Sequence, residues 1–145
     1  MGKQNILEII APISGQVVPL TEVPDPTFSE KMMGDGVAII PSEGKIYSPI
    51  NGTVTMIAPT KHAYGLATDD GTELLIHFGL ETVELNGDGF DVKVKAGDSV
   101  KVGDIIAEVD YKKLKDKNIN MITPVIIFNV TDGTEFDFVY GQVES

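Results

Sequence analysis

The sequence predicts an all-β chain, an antiparallel β-sandwich or barrel of many short strands with at most short helices. Three observations predict it. Apolar residues recur in short β-prone runs, several strictly alternating with polar ones, such as Val92-Lys93-Val94 and Val100-Lys101-Val102; period two marks a strand with one buried face. Gly-containing turns separate the runs at roughly the 8–12-residue spacing of sandwiches and barrels. A segment near the start, Ala11-Pro12-Ile13-Ser14-Gly15-Gln16-Val17-Val18, is echoed by Ser48-Pro49-Ile50-Asn51-Gly52-Thr53-Val54-Thr55. Each reads small-Pro-Ile-polar-Gly-polar-Val, a Gly bend between two strand-like pieces, so a β unit is duplicated.

Taken in order, Met1-Gly2-Lys3-Gln4-Asn5 leads into an alternating segment and then the first copy of the echo. Gly34-Asp35-Gly36 reads as a turn, Ile39-Ile40 as strand, Ser42-Glu43-Gly44 as turn, and the second copy runs on into Met56-Ile57. Thr60–Thr68 and Thr72–Leu80 flank Asp69-Asp70-Gly71, the pattern of a β-hairpin. Gly87-Asp88-Gly89, Ala96-Gly97-Asp98 and Gly103-Asp104 punctuate the next runs, which end in Ile105-Ile106-Ala107-Glu108-Val109. The stretch Val94–Ile106 resembles the hairpins of lipoyl and biotinyl carrier domains, the barrel-sandwich hybrids. One short helix is expected from Tyr111 to Lys117, with Asp110 as its N-cap. Pro124-Val125-Ile126-Ile127-Phe128-Asn129-Val130 is the last strong strand, before a turn at Asp132-Gly133. At 145 residues the chain suits one domain around one core, residues 1–145.

Composition excludes several classes. With no Cys there is no disulfide, thiol nucleophile or thiolate metal site, which is compatible with a reducing, cytoplasmic setting. No apolar run reaches the roughly 18 residues that span a bilayer as a helix. The formal charge is −11, and all 11 cationic residues are Lys. Without Arg there is no basic stripe or bidentate fork for phosphates or guanine, so nucleic acid is not an expected partner. An acidic surface suits a basic protein partner.

The two histidines, His62 and His77, fall in the two arms of the hairpin. With Asp69-Asp70 as a two-residue loop they are direct cross-strand neighbours, Cβ atoms roughly 4.5–5.5 Å apart. With Asp70-Gly71 as the loop, His77 opposes Tyr64 and His62 is diagonal on the same face. A one-residue slip or a bulge separates them. A lone strand histidine is ordinarily a surface or hydrogen-bonded residue, but two converging imidazoles are poised for acid–base, nucleophilic or metal chemistry near neutral pH.

Blocks along most of the chain resemble the glucose-type IIA domain of the bacterial phosphoenolpyruvate-dependent sugar phosphotransferase system. They are Ile10–Gly15, Val23–Phe28, Met33–Ile39, Thr60-Lys61-His62-Ala63-Tyr64, and His77-Phe78-Gly79-Leu80-Glu81-Thr82-Val83-Glu84-Leu85 with Gly89-Phe90. The resemblance implies a cytoplasmic phosphohistidine carrier that takes a phosphoryl group from HPr and gives it to a IIB domain, meeting the membrane only through the permease. It further implies regulatory proteins bound according to phosphorylation state, and no cofactor beyond the phosphoryl group itself. His77 matches the phosphorylated residue, His62 the histidine that stabilises the phosphoryl group and serves onward transfer, and Thr60 the threonine that orients that neighbourhood. Asp25 and Glu81 match acidic positions near the site, although Glu81 stands where Asp is common. Phe28, Leu75, Ile76 and Phe78 are ordinary core candidates, some of which are expected to ring the histidines as the docking patch, Phe28 exposed. Family members continue past a segment like Tyr140–Val143 into a further turn and strand; this sequence stops at Ser145, so that strand is absent or the chain is a shortened form.

Phosphoryl transfer asks the protein for in-line positioning and charge stabilisation. The nucleophile is a neutral imidazole's lone pair, so the other ring nitrogen must be protonated and pinned, by a backbone carbonyl. His62 can then donate to a phosphoryl oxygen. The rival of a different class is a zinc-dependent hydrolase of related β fold. Catalytic zinc takes three protein ligands, and with two histidines and no His-x-His pair the third would be Asp or Glu. A lipoyl or biotinyl carrier needs a modified Lys at a hairpin tip in a Met-Lys-Met or Asp-Lys-Ala setting, and neither triplet occurs.

Overall fold

The computed structural model of the chain describes residues 5–10, 12–24, 35–69, 71–80, 85, 87–128 and 134–139. Twelve strands lie among them: β1 (Asn5–Ile10), β2 (Gly15–Pro19), β3 (Asp35–Pro41), β4 (Lys45–Tyr47), β5 (Gly52–Ile57), β6 (Ala63–Ala67), β7 (Glu73–His77), β8 (Phe90–Val92), β9 (Ser99–Val100), β10 (Ile105–Val109), β11 (Thr123–Phe128) and β12 (Thr134–Val139). A seven-stranded sheet runs β2-β3-β11-β7-β6-β5-β9, and a three-stranded sheet runs β4-β10-β8, with antiparallel pairing throughout both. β1 and β12 pair in parallel. The all-β sandwich is therefore the observed fold. Among the described residues no helix is long and apolar enough to cross a membrane.

The two larger sheets are sandwiched over one core because their inward-facing residues are apolar. Ile39, Val54, Tyr64, Leu66, Leu74, Ile76, Val125 and Ile127 of the large sheet meet Ile46, Phe90, Ile106 and Val109 of the small one. A second cluster lies on the large sheet's other face: Val18, Ala38, Ala63, Leu75 and Ile126, joined by Leu20, Val23 and Ile122. Strand alternation sorts neighbours in sequence between the two faces, so Leu74 and Ile76 enter the main core while Leu75 enters the second cluster.

The internal echo is structural: Gly15 opens β2 and Gly52 opens β5. A Cβ at either would fall about 2 Å from a neighbouring strand's carbonyl, at 2.1 Å from Ile40 O and 2.0 Å from Ala67 O. The helix, α1 (Tyr111–Asp116), lies where expected; the Asp110 carboxylate accepts from the Lys113 amide at 3.1 Å, and Leu114 fixes it to the core. Six residues are too few for a stable helix alone; the buried Leu114 holds it.

Two irregularities position the site. β5 bulges between Val54 and Met56 against β6, which leaves Ile57 opposite Tyr64; a bulge re-aims the strand end beyond it. The β6–β7 hairpin closes with Thr68 N donating to Thr72 O at 2.9 Å and Gly71 N to Thr68 O at 3.0 Å. Gly71 sits at φ 92°, as in the three-residue loop made of a turn and a left-handed residue. The loop is one residue longer than the two-residue turns considered from the sequence. Ala63 thus opposes His77, and Tyr64 opposes Ile76.

Candidate functional site

His62 stands in the turn between β5 and β6, not in a strand. Ala58 N donates to Ala63 O at 2.9 Å and Lys61 N to Ala58 O at 2.7 Å, so Pro59 occupies the second position of a turn, where its fixed φ is favoured. Lys61 follows in the left-handed region at φ 66°. The turn brings Thr60 Oγ1 to 2.6 Å from His62 Nδ1. His62 also closes the ladder, its carbonyl accepting from the Phe78 amide at 2.7 Å.

His77 ends β7. Its Nδ1 lies 2.8 Å from the Gly79 carbonyl, an acceptor, so Nδ1 carries the proton and donates it. The ring's lone pair is then on Nε2. Gly79 reaches back because it adopts φ 75°, a conformation that costs other residues roughly 1–2 kcal/mol. The segment beyond is tied down by Leu80 N donating to Asn120 O at 2.8 Å.

The two imidazoles meet edge to face, centroids 4.7 Å apart and planes at 80°. This corrects the sequence argument at one point. The observed register is the intermediate one that was expected to separate the histidines, because it pairs His77 with Ala63. They meet because His62 precedes β6 and follows the left-handed Lys61, so strict up–down alternation does not govern its ring. His62 is 7% exposed and His77 half-buried. Burial is the main force holding the His62 pKa below its ordinary 6.5; repulsion from His77 adds to it, and a hydrogen bond at the Thr60 backbone opposes it.

The other expected site residues divide. Thr60 is at the site. Leu75 shares the face of His77, but at 8% exposure it packs in the second cluster with Ala63. Ile76 and Phe78 are 0% exposed and belong to the main core, Phe78 edge-on to Phe90 with centroids 5.8 Å apart. Ile76 alternates with His77 along β7 and so enters the opposite face, while Phe78, just past the end of β7, packs into the main core. Asp25, Phe28 and Glu81 lie outside the described residues. Among the described residues no three His, Asp or Glu side chains gather as metal ligands, so the third ligand of the hydrolase reading is not found there. The backbone carbonyl expected behind the His77 ring is present, and the structure identifies it as that of Gly79; sequence reasoning missed that identity, the left-handed Lys61 and the Asn120 carbonyl, and only the Gly after His-Phe offered a signal.

Residues 7–133 match the family model described as phosphoenolpyruvate-dependent sugar phosphotransferase system, EIIA 1. The structure of a glucose permease IIA from Mycoplasma capricolum is similar at 39% identity and TM-score 0.80, over 84% of this chain and 79% of that one. Helicobacter pylori Csd3 shares the fold at TM-score 0.55 and 15% identity, over 86% of this chain and 30% of its own. With a family match along most of its length and a solved relative at that identity, the chain belongs to the glucose-type IIA family of the phosphoenolpyruvate-dependent sugar phosphotransferase system.

Proposed function

We propose that the chain is a cytoplasmic phosphohistidine carrier: Nε2 of His77 accepts a phosphoryl group from phosphorylated HPr and yields it to a IIB domain for sugar uptake. The observation that carries this reading is the pinned His77 ring, Nδ1 against the Gly79 carbonyl at 2.8 Å, with the His62 ring 4.7 Å away. A neutral imidazole whose Nδ1–H is already engaged offers its Nε2 lone pair in line with the leaving nitrogen of the HPr phosphohistidine. The N–P bond of the donor breaks as the new N–P bond forms, and the donor imidazole recovers its lone pair. The Gly79 carbonyl stabilises positive charge that develops on the His77 ring.

His62 serves the phosphoryl group. In the tautomer whose Nδ1 accepts from the Thr60 hydroxyl, 2.6 Å away, the His62 proton is on Nε2, from which it donates to a phosphoryl oxygen. The low pKa keeps this imidazole neutral in the resting site, so two adjacent rings do not both carry charge. Once an anionic phosphoryl group is attached, attraction replaces repulsion, and protonated His62 becomes the favoured form. No cofactor takes part in these steps.

Incubation with phosphoenolpyruvate, enzyme I and HPr tests the reading. The mass should rise by one phosphoryl group on His77, labile in acid and stable in alkali. Unchanged mass with active HPr, or label on another residue, would overturn it.

A further inference from the structure

We infer that Tyr64 is a positioning residue for His62, acting through the backbone of Lys61. The inference rests on the role proposed above for His62. Tyr64 lies on β6 and is 0% exposed, its ring part of the main core. A phenylalanine would fill that place as well, so the hydroxyl needs its own account. It donates to the Lys61 carbonyl at 2.6 Å, three residues back. That carbonyl belongs to the left-handed residue, φ 66°, immediately before His62.

A lysine in this conformation has no steric reason to stay there, since every non-glycine residue is disfavoured in it. Two contacts hold it. The Tyr64 hydroxyl reaches its carbonyl from the core, and its aliphatic stem lies over Gly87, where an added Cβ would meet Lys61 Cδ at 3.2 Å. Thr60 and His62 flank this clamped residue. Their 2.6 Å contact and the 4.7 Å approach of His62 to His77 depend on the backbone direction at Lys61. Tyr64 thus couples the packed core to the turn whose shape brings His62 to His77 despite the strand register.

Tyr64→Phe in the full chain is the test, with Ile106→Val on β10 of the other sheet as a core control. The NMR titration of the His62 ring is read alongside phosphoryl acceptance and onward transfer to IIB. In Tyr64→Phe the His62 titration should move up toward the ordinary histidine value, and onward transfer should slow roughly two- to tenfold, the range for one lost hydrogen bond. Acceptance should change less, and Ile106→Val should leave the titration in place. A Tyr64→Phe titration identical to wild type, or an equal shift in Ile106→Val, would overturn the inference. A shifted titration with unaltered onward transfer would uphold the tether and overturn the role of His62.

Discussion

His62 and His77 stand with ring centroids 4.7 Å apart although the β6–β7 ladder sets His77 against Ala63. The approach is made by a turn, and its chemistry divides between the rings. His77 is pinned through Nδ1 to Gly79, and His62 is buried against Thr60.

His62→Gln should separate the two halves of the reaction. An amide can hydrogen-bond a phosphoryl oxygen but cannot take up a proton as the phosphoryl group departs. Acceptance from HPr should persist while transfer to IIB falls, by roughly 10²-fold or more if the imidazole acts in general acid–base transfer. Paired acceptance and sugar-phosphorylation assays measure this, and equal loss in both would make His62 part of the acceptor itself.

Stability should depend on pH through His62. Its folded pKa is below 6.5, so between the two values the unfolded chain binds more protons than the folded one. The contribution is fully present above pH 6.5 and is lost as pH falls through the lowered folded value. Urea unfolding from pH 8 to 5 should show wild type losing more stability than His62→Gln. Parallel curves would mean that His62 titrates normally.

Gly79→Ala places a Cβ on a residue at φ 75° and should cost about 1–2 kcal/mol. It should also slow phosphoryl acceptance, because the carbonyl that orients His77 shifts. Gly97→Ala is the control: φ is 98°, and a Cβ there meets nothing within 4 Å. Both variants should lower the thermal midpoint, but only Gly79→Ala should impair acceptance.

Phe78→Ala should act on stability. The side chain is fully buried against Phe90, and such a truncation costs roughly 3–5 kcal/mol. Denaturant midpoints measure it. Unchanged stability with weakened HPr binding would return Phe78 to the docking surface.

Much of the fold was legible because strand, turn and cap signals are local. Alternation and Gly punctuation marked the short strands, and Asp110 before Tyr111 marked the helix within a residue of its observed span. Boundaries were less legible where tertiary pairing trims a run: Val92-Lys93-Val94 contributes only its first residue to β8. Around the two histidines, the presence of apolar neighbours was readable and the face each one enters was not. Ile76 and Phe78 are apolar neighbours of His77, and only the face each enters tells core from surface.

By itself the sequence determined the class of the fold, the acidic Arg-free surface and the pair of imidazoles, since these follow from composition and short-range periodicity. Tertiary structure decided how the imidazoles meet. Gly71 added a residue to one loop, which moved the register and undid the direct cross-strand pairing. The left-handed Lys61, held by Tyr64 and packed over Gly87, turned His62 back toward His77. A loop length and one backbone angle depend on contacts formed only when distant segments pack, and side-chain alternation along the chain does not encode them.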